Sequence, residues 1–170
     1  LIHNGRRLLE VKEGERGLRQ SEATFAHIKN LPLLMQEMKE ARGDKKIVAI
    51  GVSSRPRNID GSYMPCFLAG VAAAEAVSLA SGAPLFSFSH QCGHIMAAVL
   101  SSGNDSILEG EFAAFHISGG TTELVKVRAV DSGFETELVG GTADVNAGQI
   151  IDRIGVLMGL RFPAGPHIEE

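Results

Sequence analysis

Apolar residues fall at three- and four-residue intervals over 21–43, at Phe25, Ile28, Leu31, Leu34, Met35 and Met38, which predicts an amphipathic helix. Ser21 is its expected cap, Pro32 a kink and Gly43 its end. Ahead of it, residues 1–11 read as two short strands about an Asn4-Gly5 turn, because that dipeptide tolerates positive φ at both central positions. Residues 13–19 read as a charged loop. A lone hairpin is marginal in water, so a further strand is expected upstream of Leu1. The other end reads as a turn leading into a helix, and the chain as an interior piece of something longer.

Short β-branched or apolar runs at 47–52 and 84–88 predict buried strands. Between them, 53–65 is a loop carrying Arg55, Arg57, Asp60 and Gly61, and 66–80 is an apolar helix rich in small residues, ended by Gly82. A further helix follows at 90–100. The period then changes to two, with strands expected at 111–117, 122–130 and 134–139. A last helix runs from an Asp144 cap to about Met158, with Ile150, Ile151, Ile154, Leu157 and Met158 on its apolar side. This alternation of strands and helices, then a meander with a helix, predicts two α/β lobes in tandem, 1–108 and 109–170.

Composition narrows the class. Hydrophobic residues at 44% and charged residues at 21% are ordinary for a globular domain and exclude a disordered chain. No apolar run is long enough to cross a bilayer. Sixteen basic against twenty acidic residues, with no Trp and one Tyr, argue against RNA binding through a basic or aromatic platform of this chain alone. Two cysteines, Cys66 and Cys92, build no disulfide scaffold, which makes a reducing cytoplasm the default.

Three segments hold candidate chemistry. His90 and His94 stand at i and i+4 where a helix follows a strand, so both imidazoles face one side and suit zinc or iron, though two ordinary histidines near a helix start fit as well. A protease of the HExxH kind needs Glu where Gln91 stands, and two histidines require a further ligand from elsewhere. The run 118–122, Ser-Gly-Gly-Thr-Thr, is either a phosphate-holding loop of N–H groups and hydroxyls or a plain hairpin turn. Asp144 and Asp152 follow a Gly140-Gly141 pair, and Gly165 offers backbone that can lie against a ligand.

The order HxxxH, SGGxT, G-x-T-x-D-(x)3-G-(x)3-D and G-L-x-x-P-x-G-P, from about residue 47 to the end, resembles the tRNA threonylcarbamoyladenosine synthase family, once described as glycoproteases. The resemblance implies the actin-like (RNase H-like) ATPase fold: tandem lobes of mixed sheet with flanking helices, here incomplete at both ends. It implies one divalent metal, iron or zinc, on His90 and His94. It implies that Ile117, Ser118, Gly119, Gly120 and Thr121 hold the nucleotide-like part of threonylcarbamoyl-AMP, with Asp152 and Gly165 at its adenosine. In that family the N6 amine of an adenosine beside the tRNA anticodon attacks the threonylcarbamoyl carbonyl and AMP leaves. Implied partners are threonylcarbamoyl-AMP or an adenine nucleotide, tRNA through a complex, a paralogous actin-like protein and a small ATPase, in the cytoplasm and without a membrane.

Departures from the family pattern temper that expectation. Cys92 stands for Glu, Thr121 for His or Asn, and Gln149 and Arg153 for Glu and Lys. The family's first phosphate loop, and the late lobe with its aspartate ligand, have no counterpart here, so the fragment is expected to be inactive alone. Alternatives are a non-catalytic nucleotide-binding paralogue or scaffold, which retention of both histidines weighs against, and last a metalloendopeptidase, which lacks its Glu base.

Overall fold

The structure, a computed structural model, describes residues 1–9, 18–131 and 133–169. The chain divides into two compact units, Leu1–Gly93 and His94–Glu170. The division falls inside one helix.

In the first unit, α1 spans Gln20–Arg42 and α2 spans Phe67–Ser81, with β1 at Ile50–Arg55 and β2 at Leu85–Ser89. β1 and β2 pair in parallel, Ile50 opposite Leu85 and Ser53 opposite Phe88, and α2 packs on this ribbon. Close packing is possible because α2 carries small residues; Ala69 is buried and Gly70 has Val52 nearby. Gly82 ends α2 in the left-handed region, φ 72°, its N–H donating to the Ser78 carbonyl at 2.8 Å, a conformation that favours glycine. The expected strand at 47–52 is displaced toward its C-terminal side, and both strands are half-open rather than buried, because a two-stranded ribbon with one helix on it has little to cover its other face.

The expected amino-terminal hairpin does not form: residues 1–9 hold no strand, and residues 10 and 11 lie outside the described residues, as do 13–17 of the expected loop. Arg7 instead makes an ion pair with Glu37 of α1 at 2.5 Å. α1 starts two residues earlier than a Ser21 cap predicts, with Arg19 at the cap position. The Arg19 N–H donates to the Glu22 carboxylate at 3.2 Å, and α1 runs unbroken through Pro32.

α3 spans His90–Ser102 and is followed by a 3-10 turn at Asp105–Glu109. In the second unit β3 (Glu111–Ile117), β4 (Thr122–Val130) and β5 (Gly133–Gly141) form an antiparallel meander in the order β3-β4-β5. Its core is Val125, Val127 and Phe134, with Phe112 set edge-on to Phe134. α4 spans Ala147–Leu157 and α5 Gly165–Glu169. Asp144 is not the cap of α4. That place falls to Asn146, and the Thr122 hydroxyl accepts the Ala147 N–H at 2.8 Å, which satisfies a first-turn donor from across the unit. Ile150, Ile151, Ile154, Leu157 and Met158, which make up the apolar side of α4, are exposed. Its packed face is the one with the small residues.

Candidate functional site

The residues 118–121 close the β3–β4 connection. The Ser118 N–H donates to the Thr121 carbonyl at 2.7 Å, and the Gly120 N–H donates to the Ser118 hydroxyl at 3.2 Å. Ile117, Ser118, Gly119 and Gly120 are exposed, and Thr121 is half-buried. Neither Gly119 nor Gly120 has a positive φ, and a Cβ on either would meet nothing within 4 Å. Among the described residues, then, neither the turn nor local packing demands glycine at these two positions.

α4 ties the rest of the site to this loop through residues 148, 152 and 155, which share one helix face. A Cβ on Gly148 would lie 2.5 Å from the carbonyl carbon and oxygen of Ser118 and 2.6 Å from the nitrogen of Gly119. Only a glycine lets the first turn of α4 come this close to the loop backbone. One turn on, Asp152 Oδ1 accepts the Ala164 N–H at 2.9 Å. Further along, a Cβ on Gly155 would sit 2.2 Å from the methyl of Ala164, which is fully buried. Gly165 follows directly and lies 4.0 Å from Ile151 Cγ2 when given a Cβ. The second unit thus gathers Ser118, Gly119, Asp152 and Gly165 along a single helix. Sequence reasoning missed Gly148 as the contact and Thr122 as the brace. Thr122 accepts the Thr142 N–H at its carbonyl at 3.0 Å as well as the Ala147 N–H at its hydroxyl. The motif spacing, with Gly148 and Asp152 four apart, held the signal for the first.

His90 and His94 sit one turn apart on α3, and both are exposed. Their surroundings differ: the His90 ring meets Phe67 edge-on with centroids 5.8 Å apart, whereas the His94 ring lies 5.7 Å from that of His116 on β3. His116 had not been singled out from the sequence; it stands on the half-buried face of β3 with Phe112 and Ala114. Cys92 is buried on the opposite side of α3 from the two histidines, its N–H donating to the Ser89 hydroxyl at 3.2 Å. Two exposed imidazoles on one helix face are a donor set that suits a divalent ion. Among the described residues no group of three or more His, Cys, Asp or Glu side chains gathers to complete such a site.

The sequence pattern of the tRNA N6-adenosine threonylcarbamoyltransferase family matches residues 9–170. A protein of that name from Lactobacillus gasseri is 35% identical over 183 aligned residues, covering all of this chain and 48% of the relative. One from Agrobacterium fabrum is 34% identical over 150 residues, 87% of this chain and 38% of the relative. One from Lactobacillus johnsonii reaches 44% over 103 residues, 61% of this chain and 28% of the relative. The chain spans about half the length of the curated relatives it matches. It belongs to the tRNA N6-adenosine threonylcarbamoyltransferase family, and with it to the actin-like, RNase H-like ATPase fold.

Proposed function

We propose that the protein, at the length of its relatives, transfers the threonylcarbamoyl group of threonylcarbamoyl-AMP to N6 of the adenosine beside the tRNA anticodon. The observation that carries this reading is the family match over residues 9–170 together with the approach of Gly148 to the Ser118–Gly119 backbone, which brings Asp152 into the same neighbourhood as the glycine loop. In the reaction the N6 amine bonds to the carbonyl carbon, the carbonyl–phosphate oxygen bond breaks, AMP departs and the amine gives up a proton.

The residues of this chain bind and orient. Gly119 and Gly120 leave room beside the loop for a phosphate to approach the backbone, and loop N–H groups and hydroxyls stabilise negative charge on a departing phosphate. Asp152 keeps one carboxylate oxygen on the Ala164 N–H, which fixes the turn before Gly165, and its carboxylate would accept hydrogen bonds from the ribose hydroxyls of the adenosine. Ile117 and Thr121 border the same loop. His90 and His94 hold the divalent ion, iron or zinc, which when bound supplies Lewis-acid polarisation of the transferred carbonyl. The two lobes are taken as 1–108 and 109–170. tRNA, a paralogous actin-like protein and a small ATPase are the partners, in the cytoplasm; among the described residues no helix is long and apolar enough to cross a membrane.

The test is nucleoside analysis of tRNA from source cells that lack the full-length gene. The expected result is loss of threonylcarbamoyladenosine, restored by the parent gene and not by His94→Ala. Persistence of the nucleoside in the deleted strain would overturn the proposal.

A further inference from the structure

α4 is not capped by the residue that leads into it. Asn146 stands at its cap position and makes no side-chain hydrogen bond to the first turn. The hydroxyl that accepts the Ala147 N–H, at 2.8 Å, belongs to Thr122, 25 residues earlier and the first residue of β4. The Thr122 carbonyl accepts the Thr142 N–H at 3.0 Å. One strand residue therefore holds the connection 142–146 at both ends: the exit of β5 through its main chain and the entry of α4 through its side chain. Between those anchors the Thr142 hydroxyl donates to the Val145 carbonyl at 2.9 Å and accepts the Asp144 N–H at 3.3 Å, which stiffens the connection.

Thr122 also closes the glycine loop. It follows Thr121 directly and pairs with Ile117 across β3 and β4, so the loop 118–121 springs from the same pair of residues that anchors α4. A helix capped by its own preceding residue moves with its own connection; one capped from β4 keeps its register on the strand that carries the loop. The approach of Gly148 to the Ser118 carbonyl depends on that register, and so does the place of Asp152 one turn further on. Threonine suits the task, since its branched Cβ restricts χ1 and leaves the hydroxyl fewer rotamers to lose.

We propose that Thr122 is a positioning residue of the nucleotide site: its hydroxyl sets the distance between the glycine loop and α4, and through it the affinity for threonylcarbamoyl-AMP. This role rests on the functional reading given above and deepens it. Thr122 acts through the loop and α4 rather than on the substrate. Loss of its hydroxyl takes the acceptor from the Ala147 N–H and lets the start of α4 drift from the loop. The substrate is then held less tightly, while the transfer step, once the substrate is seated, is unchanged.

The experiment uses the full-length protein with Thr122→Val, which keeps the branched shape without the hydroxyl, and Thr122→Ser, which keeps the hydroxyl without the branch. KM for threonylcarbamoyl-AMP and kcat are measured at saturating tRNA, and amide exchange at Ala147, Gly119 and Gly120 is followed without substrate. In Thr122→Val, KM is expected to rise about three- to tenfold with kcat within about twofold of the parent, and exchange at all three amides to quicken; Thr122→Ser should restore both. A variant that is only less stable loses active protein, which lowers the apparent kcat and leaves KM in place. A parent-like KM in Thr122→Val, or a Thr122→Ser protein as impaired as Thr122→Val, would overturn the inference and leave the functional reading standing. A parent protein that transfers no threonylcarbamoyl group to tRNA would overturn the functional reading and with it the effect on affinity; quickened loop exchange in Thr122→Val would then uphold the brace alone.

Discussion

α1 and α4 were both expected from apolar periodicity, and they are held in place in different ways. α1 is 23 residues long and has no buried residue; Phe25 is 65% exposed. α4 is 11 residues long, and Leu157 on its apolar side is 86% exposed. What anchors α4 is the opposite kind of residue: Gly148 against the backbone at 118–119, Asp152 bonded to Ala164, and Gly155 against the Ala164 methyl. Periodicity located each helix, but in α4 the contacts that fix it belong to side chains that are missing or polar. A hydrophobic pattern reports which face can be buried, and close approach is set by the smallest residues.

The sharpest way to break this comparison is at Gly155. An alanine in a helix interior ordinarily stabilises relative to glycine by about 0.5–1 kcal/mol. At Gly155 the added methyl would lie 2.2 Å from Ala164 Cβ, so Gly155→Ala should reverse the sign and cost about 2–3 kcal/mol in urea unfolding. Adding Ala164→Gly removes the colliding atom, leaving Ile168 Cδ1 at 3.2 Å as the nearest neighbour. The double variant should recover most of that loss, a coupling read directly from the cycle. An additive pair would mean that α4 is not locked through this contact.

Gly148→Ala comes next, at about 1–2 kcal/mol by the same measurement. The atoms it meets are backbone, but the loop they belong to is exposed and can shift. Its larger effect should be on that loop: amide exchange at Gly119 and Gly120 is expected to quicken in Gly148→Ala and stay parent-like in Gly155→Ala. At the other pole of the comparison, Phe25→Ser in α1 should change stability by no more than about 0.5 kcal/mol. A loss above 1 kcal/mol there would show that α1 is held by its apolar face after all.

The order of elements was legible because strands and helices differ in period. β3, β4, β5 and α3 were expected within two or three residues of where they lie. The site was legible in part. The spacing from Gly148 to Asp152 marks one helix face, and the Ser-Gly-Gly run marks a loop. Three things were not. The hairpin at the amino terminus failed because Asn4-Gly5 is only a local turn preference, and Arg7 found Glu37, 30 residues away, instead of a strand partner. The capping role of Thr122 joins residues 25 apart, and the contact of His94 with His116 depends on where β3 lies beside α3. Spacing along the chain carries contacts within one element; it is silent about contacts between elements distant in sequence.

The meander that bears the loop also carries an electrostatic pair, and it marks the weak end of the scale set by Gly155. Lys126 Nζ lies 2.8 Å from a carboxylate oxygen of Glu111, on the diagonal across β3 and β4, since Ala113 is the residue directly opposite Lys126. The hydrogen bond that the Lys126 ammonium donates to Glu111, and then the charge of Glu111, raise Lys126 above its ordinary value of 10.5. A group whose folded value is raised favours the folded state while it is protonated in both states. The contribution is therefore fully present below pH 10.5 and is lost as pH rises through the raised folded value. Glu111→Gln should return the Lys126 titration, followed by NMR of its side chain, toward 10.5. Parent and variant should differ at neutral pH and converge in strong alkali. Both side chains are half-exposed, at 45% and 53%, so water and salt screen the pair; the difference in unfolding midpoint should fall below that of every glycine variant and shrink further in 1 M salt. A salt-resistant loss as large as that of Gly148→Ala would mean that charge, and not the close approach of α4, does most to hold the loop-bearing unit together.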